Sequence, residues 1–146
     1  GGVKQPRVVG YVDDRGEIHE GSTPVLIPSK KSSPFGSSWI QMSQEFEIEF
    51  AKRTDISKEA YRVCGYLRGR LDFQNFVRVP QIEIARELSL HPSNVSRAVK
   101  KLVGIGVLIP GPLPSSWRFN PQCGWKGSMS TLRIAQREHP RLELVK

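Results

Sequence analysis

The segment "PQIEIARELSLHPSNVSRAVKKLVGIGVLIPG", Pro80 to Gly111, constrains the fold more than any other part of the chain. Apolar residues stand at Ile84, Ala85 and Leu88, break at Ser89-Leu90, and resume at Val95, Ala98, Val99 and Leu102. Both runs have the three- and four-residue spacing of a helix with one buried face. Only a short turn separates them, so the two helices meet at a steep angle. Pro80 opens the first. His91 caps the second, with Pro92 in its first turn, where a missing N–H costs no hydrogen bond. Gly104 and Gly106 then release the chain into strand-like Val107–Ile109 and Ser116–Phe119. These flank "PGPLPS" and read as a β-hairpin with a Pro/Gly-rich tip.

The flanking regions add elements to this nucleus. "RVVGYVDDRGEIHEG" reads as two strands about an Asp-Asp-x-Gly turn. Gly21 to Ser38 is a Ser-, Pro- and Lys-rich loop or arm. Ser43 is placed to cap a helix carrying Phe46 and Phe50 on one face, and Ser57 to cap a second with the stripe Ala60, Cys64, Leu67 and Leu71. Glu45, Glu47 and Glu49 lack ligand spacing and read as a solvated face. After Ser128 a short amphipathic helix is expected around Leu132, Ala135 and Gln136. The expected class is α+β. It divides into an N-terminal hairpin and arm (1–38), a central domain (39–120) and a C-terminal extension (121–146).

Charge narrows the function. The net charge is +8. Residues 1–40 carry five Lys/Arg against four Asp/Glu, residues 41–76 six of each, and residues 77–146 eleven against four. The regional balances are thus +1, 0 and +7, so nearly the whole excess lies with the two-helix segment. Clustered positive charge favours a polyanionic partner. No apolar run approaches a membrane span, no secretory signal is present, and Gly1-Gly2 resembles a cloning remnant. Two cysteines make no disulfide framework; Cys64 is expected in the core, Cys123 exposed, and the compartment a reducing cytoplasm. His19, His91 and His139 lack metal-ligand spacing, and no catalytic triad order, phosphate-binding loop or zinc signature occurs. Neither a catalytic residue nor a metal, cofactor or small-molecule substrate is expected, and the chain is read as a non-enzyme.

Helix, short turn, helix and hairpin together form the winged helix-turn-helix pattern. Ala85 is the small residue at the crossing, and Ile84, Leu88, Leu90, Val95 and Ala98 hold the angle. Ser89 departs from the pattern, because the turn favours glycine at positive φ. With the apolar face buried, Ser93, Asn94, Ser96, Arg97, Lys100 and Lys101 remain outside. The second helix of this motif enters the DNA major groove. Asn94 matches adenine and Arg97 matches guanine, each through paired hydrogen bonds. Ser93, Ser96, Lys100 and Lys101, with His91 and Pro92 at the helix start, suit phosphate. Ser115, Ser116, Arg118 and Lys126, on or beside the hairpin, complete the expected DNA-facing set. A solvated helix face, or a winged helix used for protein contact, are the competing readings.

Across Val8 to Ser128 the sequence resembles the RepL-type plasmid replication and maintenance proteins. The resemblance rests on "GYVDDRGEIHEG", on the segment from "WIQM" through "ISKEAYRVCGYLRGRLDFQNFVRV" to the two helices, and on "RFNPQCGWKGS" after the hairpin. It weakens in 21–38 and after Ser128. It implies a bacterial, cytoplasmic, plasmid- or nucleoid-associated protein. Such a protein binds double-stranded DNA at origin repeats and recruits host replication proteins without an enzymatic step. A repressor of plasmid or phage genes is the alternative; a homodimer on inverted half-sites and tandem monomers on direct repeats are equally compatible with the sequence.

Overall fold

The structure, a computed structural model, describes residues 10–12, 18–20, 34–36 and 38–139. The chain divides into two units, 1–38 and 39–146. In the first, β1 (Gly10–Val12) pairs antiparallel with β2 (Ile18–Glu20), and Tyr11 stands opposite His19. The intervening Asp-Asp-x-Gly turn and the Pro/Ser-rich stretch 21–33 lie outside the described residues.

The second unit is α+β. It runs β3 (Gln41–Met42), α1 (Gln44–Lys52), α2 (Lys58–Arg68), a 3-10 turn (Phe73–Asn75) and β4 (Phe76–Arg78), then α3 (Gln81–Leu88) and α4 (Pro92–Gly104). β5 (Leu108–Pro110), β6 (Ser116–Phe119), β7 (Gly124–Trp125) and α5 (Met129–Glu138) follow. β4, β6 and β5 form an antiparallel sheet in that order, with Val77 opposite Trp117 and Ile109 opposite Arg118. β3 and β7 form a second, two-stranded sheet. Among the described residues no helix is long and apolar enough to cross a membrane.

Local chemistry sets the helix starts. Ser43, Ser57 and Ser128 each accept the backbone N–H three residues on, at 3.2, 3.1 and 3.4 Å. His91 accepts the Ser93 N–H through Nδ1 at 3.2 Å. Pro80 sits one place outside α3, as its N-cap with ψ 139°, rather than in the first turn.

The turn between α3 and α4 is a Schellman closure. Leu90 N–H donates to Ala85 O at 2.9 Å and Ser89 N–H to Arg86 O at 3.3 Å. Ser89 takes up left-handed backbone geometry, φ 53°, a position where glycine carries no Cβ penalty. A guanidinium from α2 completes the cap, Arg62 Nη2 donating to Leu88 O at 2.7 Å. The same closure ends α4. Val107 N–H reaches Leu102 O and Gly106 N–H reaches Val103 O, both at 3.0 Å, with Gly106 at φ 85°. Gly104, by contrast, has open space where a Cβ would stand.

Ile84, Ala85, Val95, Ala98, Val99 and Leu102 are buried together with Ala60, Val63, Cys64 and Leu67 of α2 and Phe46 and Phe50 of α1. Full burial of each large aliphatic side chain contributes about 1.5–3 kcal/mol. The α1/α2 stripes therefore form one core with the two-helix segment.

Cys123, expected exposed, is fully buried in that core. The reason lies in the "NPQCGWKGS" belt. Asn120 is buried, its Nδ2 donating to Gly106 O at 2.8 Å, and Cys123 O accepts the Ser43 N–H at 2.9 Å. A Cβ at Gly124 would lie 2.6 Å from Gln41 O, so glycine is needed where β7 meets β3. Residues 121–139 are thus built into the second unit, not appended to it. Burial pushes the Cys64 thiol up to about 11 and the Cys123 thiol higher still.

A buried amide joins the sheets. Gln74 and Asn75 both have left-handed φ, 61° and 67°. Asn75 Nδ2 donates to Phe119 O at 2.9 Å and Gly124 O at 2.7 Å, and its Oδ1 accepts the Lys126 N–H at 2.8 Å. Truncation strands the carbonyls of buried Phe119 and Gly124 and the N–H of half-buried Lys126, so Asn75→Ala is expected to cost about 2–4 kcal/mol in urea unfolding. Ser89→Gly, relieving the left-handed serine, is expected to raise stability by about 1 kcal/mol in the same assay.

Candidate functional site

α4 is two-faced. Val95, Ala98, Val99 and Leu102 are buried, while Ser93, Arg97, Lys100 and Gly104 are exposed on the opposite side. The helix carries three cations and no carboxylate. Its start is hydroxyl-rich. Ser93 Oγ lies 2.7 Å from His91 Nδ1, and Pro92 occupies the first turn. The Ser93 N–H is taken by His91 Nδ1, and the Asn94 and Val95 N–H groups by the His91 carbonyl at 2.9 and 3.3 Å; the positive end of the helix dipole still favours an anion here. Ser96 is half-buried on the other flank.

Asn94 and Lys101 occupy the flank that faces the N-terminus of α2. There Asp55, Ser57 and Glu59 join Asn94, Arg97 and Lys101 around one open recess. Asn94 Oδ1 accepts a hydrogen bond from Arg97 Nη2, so the two side chains expected to read bases hold each other. Lys101 Nζ pairs with Asp55 Oδ2 at 2.7 Å. Arg53 grips the same carboxylate through Nε at 2.8 Å and Nη2 at 2.7 Å. The Arg53 guanidinium, and after it the Lys101 ammonium, holds the Asp55 carboxyl well below the usual carboxylate range. Asp55 is therefore charged at any neutral pH.

The hairpin residues are arranged differently from the expectation. Arg118 points inward and is 8% exposed. It lies on β6, the central strand of its sheet, under the 3-10 turn and α5. Its Nε donates to Gln74 O at 3.0 Å, its Nη1 pairs with Glu138 at 3.0 Å, and the guanidinium stacks 4.5 Å from the Phe76 ring. Lys126 Nζ is likewise used, donating to the Leu71 carbonyl at 3.0 Å beyond the end of α2. Ser116 Oγ donates to Leu113 O at 2.6 Å and accepts the Leu113 N–H at 3.1 Å. Ser115, at φ 57°, accepts the Val79 N–H through its carbonyl at 3.0 Å. These four residues hold the hairpin and its neighbours together. The tip, Pro110 to Ser116, carries no charge, and Leu113 is exposed there.

The structure thus gathers His91, Pro92, Ser93, Asn94, Ser96, Arg97, Lys100 and Lys101 along α4 and its cap, buries Arg118, and engages half-buried Lys126 with the Leu71 carbonyl. Asp55, Arg53 and Glu59 lie beside that helix although the sequence reading passed over them. Lys101 is 46 residues from Asp55, and no local pattern relates them. Among the described residues no group of three or more His, Cys, Asp or Glu converges as metal ligands. Comparisons with family models, curated proteins and solved structures found no match.

Arg118→Ala leaves Glu138 and the Gln74 carbonyl without their partner and opens a gap against Phe76. It is expected to lower stability by about 2–3 kcal/mol in thermal or urea unfolding. A loss below about 0.5 kcal/mol would return Arg118 to the surface.

Proposed function

We propose that the chain is a sequence-specific double-stranded DNA-binding protein of winged helix-turn-helix architecture, with α4 as the helix that enters the major groove. One observation carries the reading. The face of α4 left open by core packing presents hydroxyls, an amide and cations with no carboxylate on the helix itself. The Schellman-closed turn after α3 and the β5–β6 hairpin after α4 are the flanking elements this architecture requires. The +7 balance of residues 77–146 supplies the long-range attraction.

Within that reading the roles divide by position. Arg97 and Asn94 read base edges as a coupled pair. The exposed Ser93 and Lys100, with His91, hold phosphate and set register. The hairpin contributes backbone and apolar contact through Pro112, Leu113 and Pro114, because its tip has no cation. The RepL-type resemblance supplies the setting: origin repeats on a plasmid, with other surfaces left for host replication proteins. Footprinting distinguishes iterated repeats inside an origin from a single palindrome over a promoter, which would mark a repressor.

Fluorescence anisotropy against a duplex selected from a random pool tests the roles. Arg97→Ala is expected to cost about 1–3 kcal/mol on the selected site and much less on random sequence. Adding Asn94→Ala should cost less than its separate effect, since the two side chains share a hydrogen bond. Lys100→Ala should weaken all sequences alike and flatten the log K against log salt slope by about 0.9. Unchanged affinity in the Asn94/Arg97 double variant would remove α4 from the interface, and negligible binding by the unaltered protein would favour a protein-contact role.

A further inference from the structure

Lys101 lies on the flank of the proposed reading helix, in the recess it shares with Arg97 and Asn94, and its ammonium is already engaged. The partner comes from another element: Asp55, in the loop between α1 and α2, 2.7 Å away. Asp55 is itself fixed by Arg53, whose two nitrogens grip both carboxylate oxygens. Paired planar contacts of this kind set orientation as well as charge. The carboxylate is 44% exposed, so it also faces whatever approaches the recess. Glu59, from the first turn of α2, adds a second carboxylate to the same wall.

We propose that Asp55 is a specificity-determining residue: it withholds Lys101 from phosphate and so lowers affinity for DNA that α4 cannot read. The inference rests on the DNA-binding reading of α4. The physical basis is competition for one ammonium. An encounter with arbitrary duplex offers Lys101 a phosphate in exchange for Asp55, and the exchange adds little because one anion replaces another. It also brings a carboxylate that has lost a partner close to the backbone. Like charges brought together in this way act against the wrong complex more than they favour the right one. Reading-face contacts of Arg97 and Asn94, made only on the correct site, leave the Asp55–Lys101 pair intact. Specificity then comes from a low background as well as from a tight cognate complex.

The test uses the full chain, a random-sequence duplex and the selected duplex, each titrated across a range of salt. Asp55→Ala is expected to tighten random-duplex binding roughly tenfold at about 50 mM salt. The gain should shrink roughly 3- to 4-fold by about 200 mM, because one more phosphate contact steepens the salt slope by about 0.9. The selected duplex should gain less, so the specificity ratio falls. Asp55→Asn, which keeps the side-chain shape, should move affinity the same way. The gain should shrink, and the steeper salt slope disappear, when Asp55→Ala is made together with Lys101→Ala. Unchanged slopes in both Asp55 variants overturn the inference while leaving the DNA reading standing. A gain that survives undiminished without Lys101 also overturns it, since Asp55 would then act by its own charge alone. If the unaltered protein binds neither duplex, the DNA reading fails and this inference with it.

Discussion

The seating of α4 on α2 and α3 decides the rest of the second unit. Val95, Ala98, Val99 and Leu102 are the contact, and all four are at most 4% exposed. Once they are committed, the rotation of α4 about its axis is set to within a residue. Ser93, Arg97 and Lys100 then have no direction but outward. The two Schellman closures fix the helix at each end, and the hairpin follows from the second of them. A change that lets α4 rotate would move the cations and the core together, so stability and surface chemistry are coupled in this element.

Around that contact the molecule uses its polar groups structurally more than its charge suggests. Arg62 caps α3, Arg118 and Lys126 brace the sheet and the 3-10 turn, and Asn75 and Asn120 tie strands to the loops between them. Every buried side-chain nitrogen or oxygen among the described residues has a partner. The positive balance of residues 77–146 is therefore an upper limit on what a polyanion can meet. On α4 the limit tightens again, with Arg97 and Lys100 exposed and Lys101 paired. Selectivity built on few free cations is consistent with the proposed reading of base edges over bulk attraction.

Features encoded within a few residues were legible in the sequence. The serine caps at 43 and 57, the His91-Pro92 start of α4, the apolar stripe of α4 and the left-handed demand at Ser89 all depend on spacing, and each occurs as read; the α2 stripe does so up to Leu67, with Leu71 buried just past the helix end. Features that depend on distant partners were not. Cys123 reads as a loop residue until β7 closes on β3. Arg118 reads as an exposed cation until α5 brings Glu138 over it. Asp55 has no signature at all, since it matters only because the fold sets it against Lys101. The helix face of the candidate site was thus visible from periodicity, whereas the groups that restrain it were not.

Under the proposed function, the open face of α4 is the surface that meets DNA. Backbone amide NMR on the full chain, titrated with a duplex selected from a random pool, tests it most directly. The largest shift changes should fall on 91–101, with smaller ones on the hairpin tip 111–115. Residues around Arg118 and α5 should stay nearly still. Shift changes centred on α5 and the 3-10 turn, with α4 unmoved, would contradict it.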